Sequence, residues 1–175
     1  MDEVVQATPN GYRLRHCLQC GTCGGSCPNG PDMDYTPRGL FALIAANERE
    51  KVLSANTMWF CVSCYLCTVR CPKQVPITET MYTLKEIAFR ERQYGGTDAA
   101  ALARTFTDLL EKYGRSYELG LASRFYLLNK PTSLLQMGPM GLAMMSRGRM
   151  TFIPTKIRGT AQLRAIIHKA KELGD

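Results

Sequence analysis

The chain is 175 residues long, 45% hydrophobic and 21% charged, with a formal net charge of +7. This composition excludes a disordered chain, and the length suits one domain or one small module with an extension. No apolar run reaches the roughly 18 residues that span a bilayer, since the stretch from Leu134 to Met145 is broken by Gln136, Gly138, Pro139 and Gly141. Nor does Met1-Asp2-Glu3-Val4-Val5 lead a basic segment into an apolar one, so a soluble, cytoplasmic protein without a secretory signal is expected.

The first element along the chain is a cysteine window, Cys17-x2-Cys20-x2-Cys23-x3-Cys27, with Pro28 behind it. A helix is predicted next. Thr36 suits its N-cap and Pro37 its first position, and Leu40, Leu43 and Ile44 form a stripe at helical spacing in a run reaching Arg49. The second window, Cys61-x2-Cys64-x2-Cys67-x3-Cys71 followed by Pro72, repeats the first. Behind it Ile77, Met81, Leu84 and Ala88 recur at helical spacing, with Thr78 as the expected cap.

Gly95-Gly96 marks a break. Beyond it, Leu102, Phe106, Leu109, Leu110 and Tyr113 predict a helix ending at Gly114, and Leu121, Phe125 and Leu128 predict a turn or two before Pro131. Thr160 opens a last helix carrying Leu163, Ile166, Ile167, Ala170 and Leu173. These stripes are expected to form core. No period-two pattern flanks either window. The fold class is therefore all-α, with a module carrying both cysteine windows over residues 1–95 and a helical, basic extension over residues 96–175.

Charge divides along the same line. Residues 1–95 hold 10 Lys/Arg against 9 Asp/Glu; residues 96–175 hold 12 against 6, and within 115–171 Glu118 is the one acid facing 10 bases. Residues 131–158 also carry Met137, Met140, Met144, Met145 and Met150 beside Arg147, Arg149, Lys156 and Arg158. A flexible apolar surface rimmed by charge suits partner docking, ahead of an ordinary core or a membrane-surface helix, whose face the Gly and Pro residues would interrupt. Nucleic acid fits poorly, because the bases are diffuse and no reader motif accompanies them.

All eight cysteines are used by the repeat. The spacing with its trailing proline is that of bacterial two-cluster ferredoxins. Three thiolates two residues apart wrap three corners of an iron–sulfur cube, and the fourth, beside a rigid proline, points to the other cube. Cys17, Cys20, Cys23 and Cys71 are thus assigned to one 4Fe-4S cluster, and Cys61, Cys64, Cys67 and Cys27 to the second. A structural zinc site takes two cysteine pairs across a longer loop, and a disulfide framework needs an oxidising compartment. Val62, Tyr65, Leu66 and Val69, with Trp59 and Phe60 before them, are expected to keep the second cluster drier and so harder to reduce, an effect that Arg70 opposes. His16 and His168 read as surface side chains. No nucleophile motif, phosphate-binding loop or flavin or nicotinamide fingerprint is present, so no catalytic residue is expected in this chain.

The run Cys17-Leu18-Gln19-Cys20-Gly21-Thr22-Cys23-Gly24-Gly25-Ser26-Cys27-Pro28, with Tyr35-Thr36-Pro37-Arg38 and Trp59-Phe60-Cys61-Val62-Ser63-Cys64, resembles the C subunit of heterodisulfide reductase, within the α-helical ferredoxin superfamily. The resemblance covers about residues 13–92. It implies an electron-transfer subunit of a hetero-oligomeric oxidoreductase, relaying electrons between a flavoprotein A subunit and a B subunit built of CCG domains. The alternatives are a stand-alone ferredoxin-like carrier and the iron–sulfur subunit of a glycolate oxidase or of a fumarate or succinate dehydrogenase. Only 16 residues precede Cys17, too few for the two-iron domain of the last type, and no cysteine follows Cys71 to build a CCG site.

Overall fold

The computed structural model describes residues 2–91, 93, 98–149 and 153–174; the Gly95-Gly96 break, Met150 and the side chains of residues 134–137, Met137 included, lie outside what is described. Two compact units meet in sequence between Thr97 and Asp98.

The first unit runs α1 (Asp2–Ala7), a 3-10 turn (Gly11–His16), α2 (Thr22–Gly25), a second 3-10 turn (Gly30–Asp32), α3 (Pro37–Ala45), α4 (Arg49–Ser54), α5 (Leu66–Val69) and α6 (Ile77–Arg90). Thr36 caps α3 by accepting the Gly39 N–H at 3.4 Å, with Pro37 in the first turn. The expected run to Arg49 divides in two, because Asn47 adopts a left-handed φ of 60° and turns the chain into α4. The cap of α6 is Pro76 and not Thr78. The Thr78 hydroxyl and N–H both face the hydroxyl of Thr68, at 3.2 and 3.3 Å, and so are engaged in a contact with α5.

Leu40, Ile44, Met58, Ile77, Met81, Leu84 and Ala88 are buried in one core. Burial of each such Leu, Ile or Met side chain contributes about 1.5–3 kcal/mol. Side chains also stitch distant loops together. The Asp34 N–H donates to Asn56 Oδ1 at 2.7 Å and the Asn56 N–H to Asp34 Oδ2 at 2.8 Å, while the buried Thr57 hydroxyl joins the main chain of Tyr35. Arg49 clasps Glu3 at 2.9 Å and Glu91, and its guanidinium holds both carboxyls below their ordinary range. Gly11 allows the turn after α1, since a Cβ there would stand 2.2 Å from the Val5 carbonyl oxygen.

The second unit contains α7 (Asp98–Tyr113), α8 (Glu118–Asn129), α9 (Pro131–Ser146) and α10 (Thr160–Gly174). α7 packs on α8 and α10, and α8 on α9. Gly114, with φ of 75°, ends α7; a Cβ there would meet the Ile157 side chain at 2.4 Å. Arg164 donates to the Glu111 and Lys112 carbonyls at 3.1 Å, which satisfies the last turn of α7. α9 continues through Pro139, whose missing N–H costs one helical hydrogen bond, with Gly138 and Gly141 close beside it. One expectation is corrected here. The apolar stripes do not all form core: Leu109 and Phe125 are buried, whereas Leu102, Phe106, Leu128, Ile166 and Leu173 are exposed. Among the described residues no helix is long and apolar enough to cross a membrane.

Leu84, 0% exposed, and Val69, 82% exposed, bracket the packing. Leu84→Ala should lower stability by about 2–5 kcal/mol and Val69→Ala by no more than about 0.5 kcal/mol, read by chemical denaturation followed by circular dichroism.

Candidate functional site

The sequence repeat becomes a backbone repeat. Gln19 and Ser63, each between the first two cysteines of its window, both take a left-handed φ of 55°, and Gly21 and Tyr65, one step before the third cysteine's turn, take 84° and 61°. That region is sterically unfavourable for Gln19, Ser63 and Tyr65, a strain that persists where function or surrounding structure demands it. Each left-handed pair leads into a four-residue helix, α2 or α5, and the two helices pack on each other. Among the described residues, no main-chain carbonyl accepts a hydrogen bond from the N–H groups of Leu18–Cys23 or Val62–Cys67. Turns of this kind, with N–H groups that no carbonyl takes, form concavities suited to anions and iron–sulfur clusters.

Two cavities lie beside these turns, of about 360 and 390 Å³ counting their open mouths. The first is lined by Cys17, Cys20, Cys23 and Cys71, the second by Cys61, Cys64, Cys67 and Cys27. Each therefore takes three cysteines from one window and the fourth from the other. Ile77, in the first turn of α6, lines both. The Arg70 guanidinium donates to Ser26 Oγ at 3.3 Å and the Asn29 amide to the Phe60 carbonyl at 2.7 Å, so the tail of each window is tied to the other.

None of the eight cysteines is joined to another in a disulfide. Burial pushes the Cys23 thiol up to about 11, aided by the neighbouring charges of Cys17 and of Cys67, which lines the other cavity. Burial likewise raises Cys67, against the hydroxyls of Thr78 and Thr68. Exposed Cys20 is lowered by the Thr22 hydroxyl, 3.4 Å from its sulfur, and then by the Thr22 main chain. The Val75 N–H reaches Cys71 Sγ at 3.4 Å, and the Gln19 amide reaches Cys17 Sγ at 3.6 Å. Buried thiols that resist ionisation need a cationic centre to become thiolates. Among the described residues no three Cys, His, Asp or Glu side chains converge on a point that would hold one metal ion. The cysteines ring a space instead, and their donor chemistry and the free N–H groups fit a multi-iron cluster.

The drier second site expected from its apolar wrapping is not found. Val62 and Val69 are 63% and 82% exposed, Tyr65 and Leu66 are exposed as well, and so is Cys64, just as Cys20 is. Three wall residues are not identifiable as such from the sequence: Arg38 and Lys73 at the first cavity, and Ile77, which lines both. Arg38 stands next to the helix-starting Pro37 and Lys73 two places past Cys71, but nothing in the sequence says which way they face. His16 is exposed, edge-on to the Tyr12 ring, and exposed His168 pairs with Glu172 one turn along α10.

The fold and this pair of cavities define a helical 4Fe-4S dicluster domain, and residues 13–75 match the family profile of that description. Over a little under half its length the chain is similar to C subunits of heterodisulfide reductases, as the motifs imply. It is 38% identical over 81 residues to the C subunit of the ferredoxin:CoB-CoM heterodisulfide reductase of Methanosarcina mazei, covering 46% of this chain and 50% of the relative. It is 40% identical over 81 residues to the C subunit of the ferredoxin/F(420)H(2)-dependent CoB-CoM heterodisulfide reductase of Methanosarcina acetivorans, again covering 46% and 50%. It is 38% identical over 79 residues to the C subunit of the H(2):CoB-CoM heterodisulfide,ferredoxin reductase of Methanothermobacter marburgensis, covering 45% and 42%. The chain thus spans half or less of the length of these curated relatives.

In cluster-free protein at neutral pH, Cys20 should be alkylated by iodoacetamide well before Cys23, because the first thiol is lowered and the second raised to about 11. Thr22→Ala should slow Cys20 without changing Cys23, read by peptide mass mapping; equal rates for the two thiols in the parent chain would contradict the assigned environments.

Proposed function

We propose that this chain is the iron–sulfur electron-transfer subunit of a heterodisulfide-reductase-type complex, relaying single electrons between a flavoprotein and a CCG-domain subunit that performs the disulfide chemistry. The observation that carries the reading is the pair of cavities, each with three cysteines of one window and one of the other, sharing the wall residue Ile77. Two 4Fe-4S clusters, one held by Cys17, Cys20, Cys23 and Cys71 and the other by Cys61, Cys64, Cys67 and Cys27, supply one-electron redox chemistry when bound. Ile77, 1% exposed, keeps water out of the space between them. Among the described residues, the main-chain N–H groups of Leu18–Cys23 and Val62–Cys67 meet no main-chain carbonyl and are available to stabilise sulfur charge.

Similarity to the C subunits of such complexes favours an assembly over a free carrier. The C-terminal unit supports the same choice, since it offers exposed Met140, Met144, Leu142 and Ile166 beside a strong excess of Lys and Arg. Charge of that sign steers an acidic partner, and the apolar groups are then buried against it. In this reading residues 1–95 bind the clusters and residues 96–175 dock the partner, without a catalytic residue of their own.

Protein reconstituted without oxygen should hold about eight irons and eight sulfides, and Cys27→Ser should damage the cluster of the second window while sparing that of its own. About four irons, or loss of the first-window cluster in that variant, would refute the crossed ligation. Arg147→Glu with Arg149→Glu should weaken co-purification with the partner subunits more at low salt than at high salt, because screening removes the electrostatic share.

A further inference from the structure

The two cavities are nearly alike in cysteines, backbone and size, yet unlike in charge. Arg38 and Lys73 line the first. Among the described residues, no Lys, Arg, His, Asp or Glu lines the second. The position of Arg38 is set by its place in the first turn of α3, packed beside α2. Its Cδ and Nε lie 3.6 and 4.0 Å from where a Cβ on Gly21 would be, so this side chain runs alongside the cysteine turn of the first window. Lys73 follows Pro72, and the next residue, Gln74, is held by Arg13 at 2.8 Å. Two cations stand beside the second window without lining its cavity: Lys85 donates to the Cys61 carbonyl at 3.4 Å and covers the Tyr82 ring, and Arg70 is bound to Ser26.

We infer that Arg38 and Lys73 set the order of the two redox potentials, making the cluster held by Cys17, Cys20, Cys23 and Cys71 the one on which a single electron rests. This rests on the crossed ligation proposed above. A 4Fe-4S core with four thiolates carries about −2 when oxidised and about −3 after gaining one electron. A fixed positive charge in the wall stabilises the more negative state, most strongly where the intervening medium is protein and not water. An electron given to either cluster by a low-potential donor, such as a reduced flavin, therefore passes to the first cavity, leaving the second cluster oxidised. No proton or further reactant is needed. Arg38 and Lys73 act here through charge alone and are positioning residues, since neither can replace a thiolate ligand.

The test is potentiometry followed by electron paramagnetic resonance on the full-length, cluster-loaded chain. The two one-electron midpoints are assigned through Cys20→Ser and Cys64→Ser, each of which alters one cluster. In the parent protein the first-window cluster should have the higher midpoint. Arg38→Gln with Lys73→Gln should lower that midpoint and leave the other in place, changing the ratio in which one electron is shared by about tenfold, which is ~59 mV for a one-electron couple. Val62→Lys puts a cation in the wall of the second cavity at a site 63% exposed, and should raise only the second midpoint. If Arg38→Gln hinders loading of the first cluster, Lys73→Gln and Val62→Lys decide the matter. Unchanged midpoints in these variants, or a larger shift from Lys85→Gln than from Arg38→Gln and Lys73→Gln together, would overturn the inference. A parent chain that loads fewer than two clusters would instead overturn the proposed function, so the two failures are distinguishable.

Discussion

Four thiolates gathered around one space repel one another, and the buried ones also lose their solvation, so they are held there around a positive centre. Cys23 shows the size of that obstacle, its thiol raised to about 11 by burial and by the charges of Cys17 and Cys67. Most of the first unit follows from meeting this constraint twice. The left-handed residues Gln19, Gly21, Ser63 and Tyr65 bend each window so that its first three cysteines face one space. Pairing of α2 with α5 brings the windows together, and the core beneath them, from Leu40 to Leu84, is the platform on which that pairing rests.

The crossing of the fourth cysteines has a mechanical consequence as well as an electronic one. Because Cys71 lines the first cavity and Cys27 the second, neither window can close without the other. The Arg70–Ser26 and Asn29–Phe60 hydrogen bonds reinforce the same link at the surface. Ile77 is then both a core residue and a partition, buried to 1% exposure and touching both spaces. Two sites held this closely suit a relay of single electrons better than two independent reactions would.

Local rules made the helices around the windows legible in the sequence. Thr36 and Pro37 begin α3 as caps do, and the spacing of Ile77, Met81, Leu84 and Ala88 marks the buried face of α6. The cysteine repeat with its prolines indicated which cysteines share a cavity. What was not legible depends on contacts distant in sequence. The Asp34–Asn56 and Thr57–Tyr35 bonds join segments 22 residues apart with no periodic signal. Thr78 has the chemistry of a cap but directs it to Thr68, across a loop. The roles of Arg38 and Lys73 required knowing which cavity each side chain lines. In the second unit, helical stripes indicated helices correctly but not burial, since Phe106 and Leu173 remain at the surface.

Diffraction from anaerobically grown crystals, with anomalous data collected at the iron edge, bears most directly on the crossed pair of clusters. Two four-iron centres are expected, one bonded to the sulfurs of Cys17, Cys20, Cys23 and Cys71 and the other to those of Cys61, Cys64, Cys67 and Cys27, with Ile77 between them. Centres bonded to the four cysteines of a single window, or a single metal ion in either cavity, would contradict it.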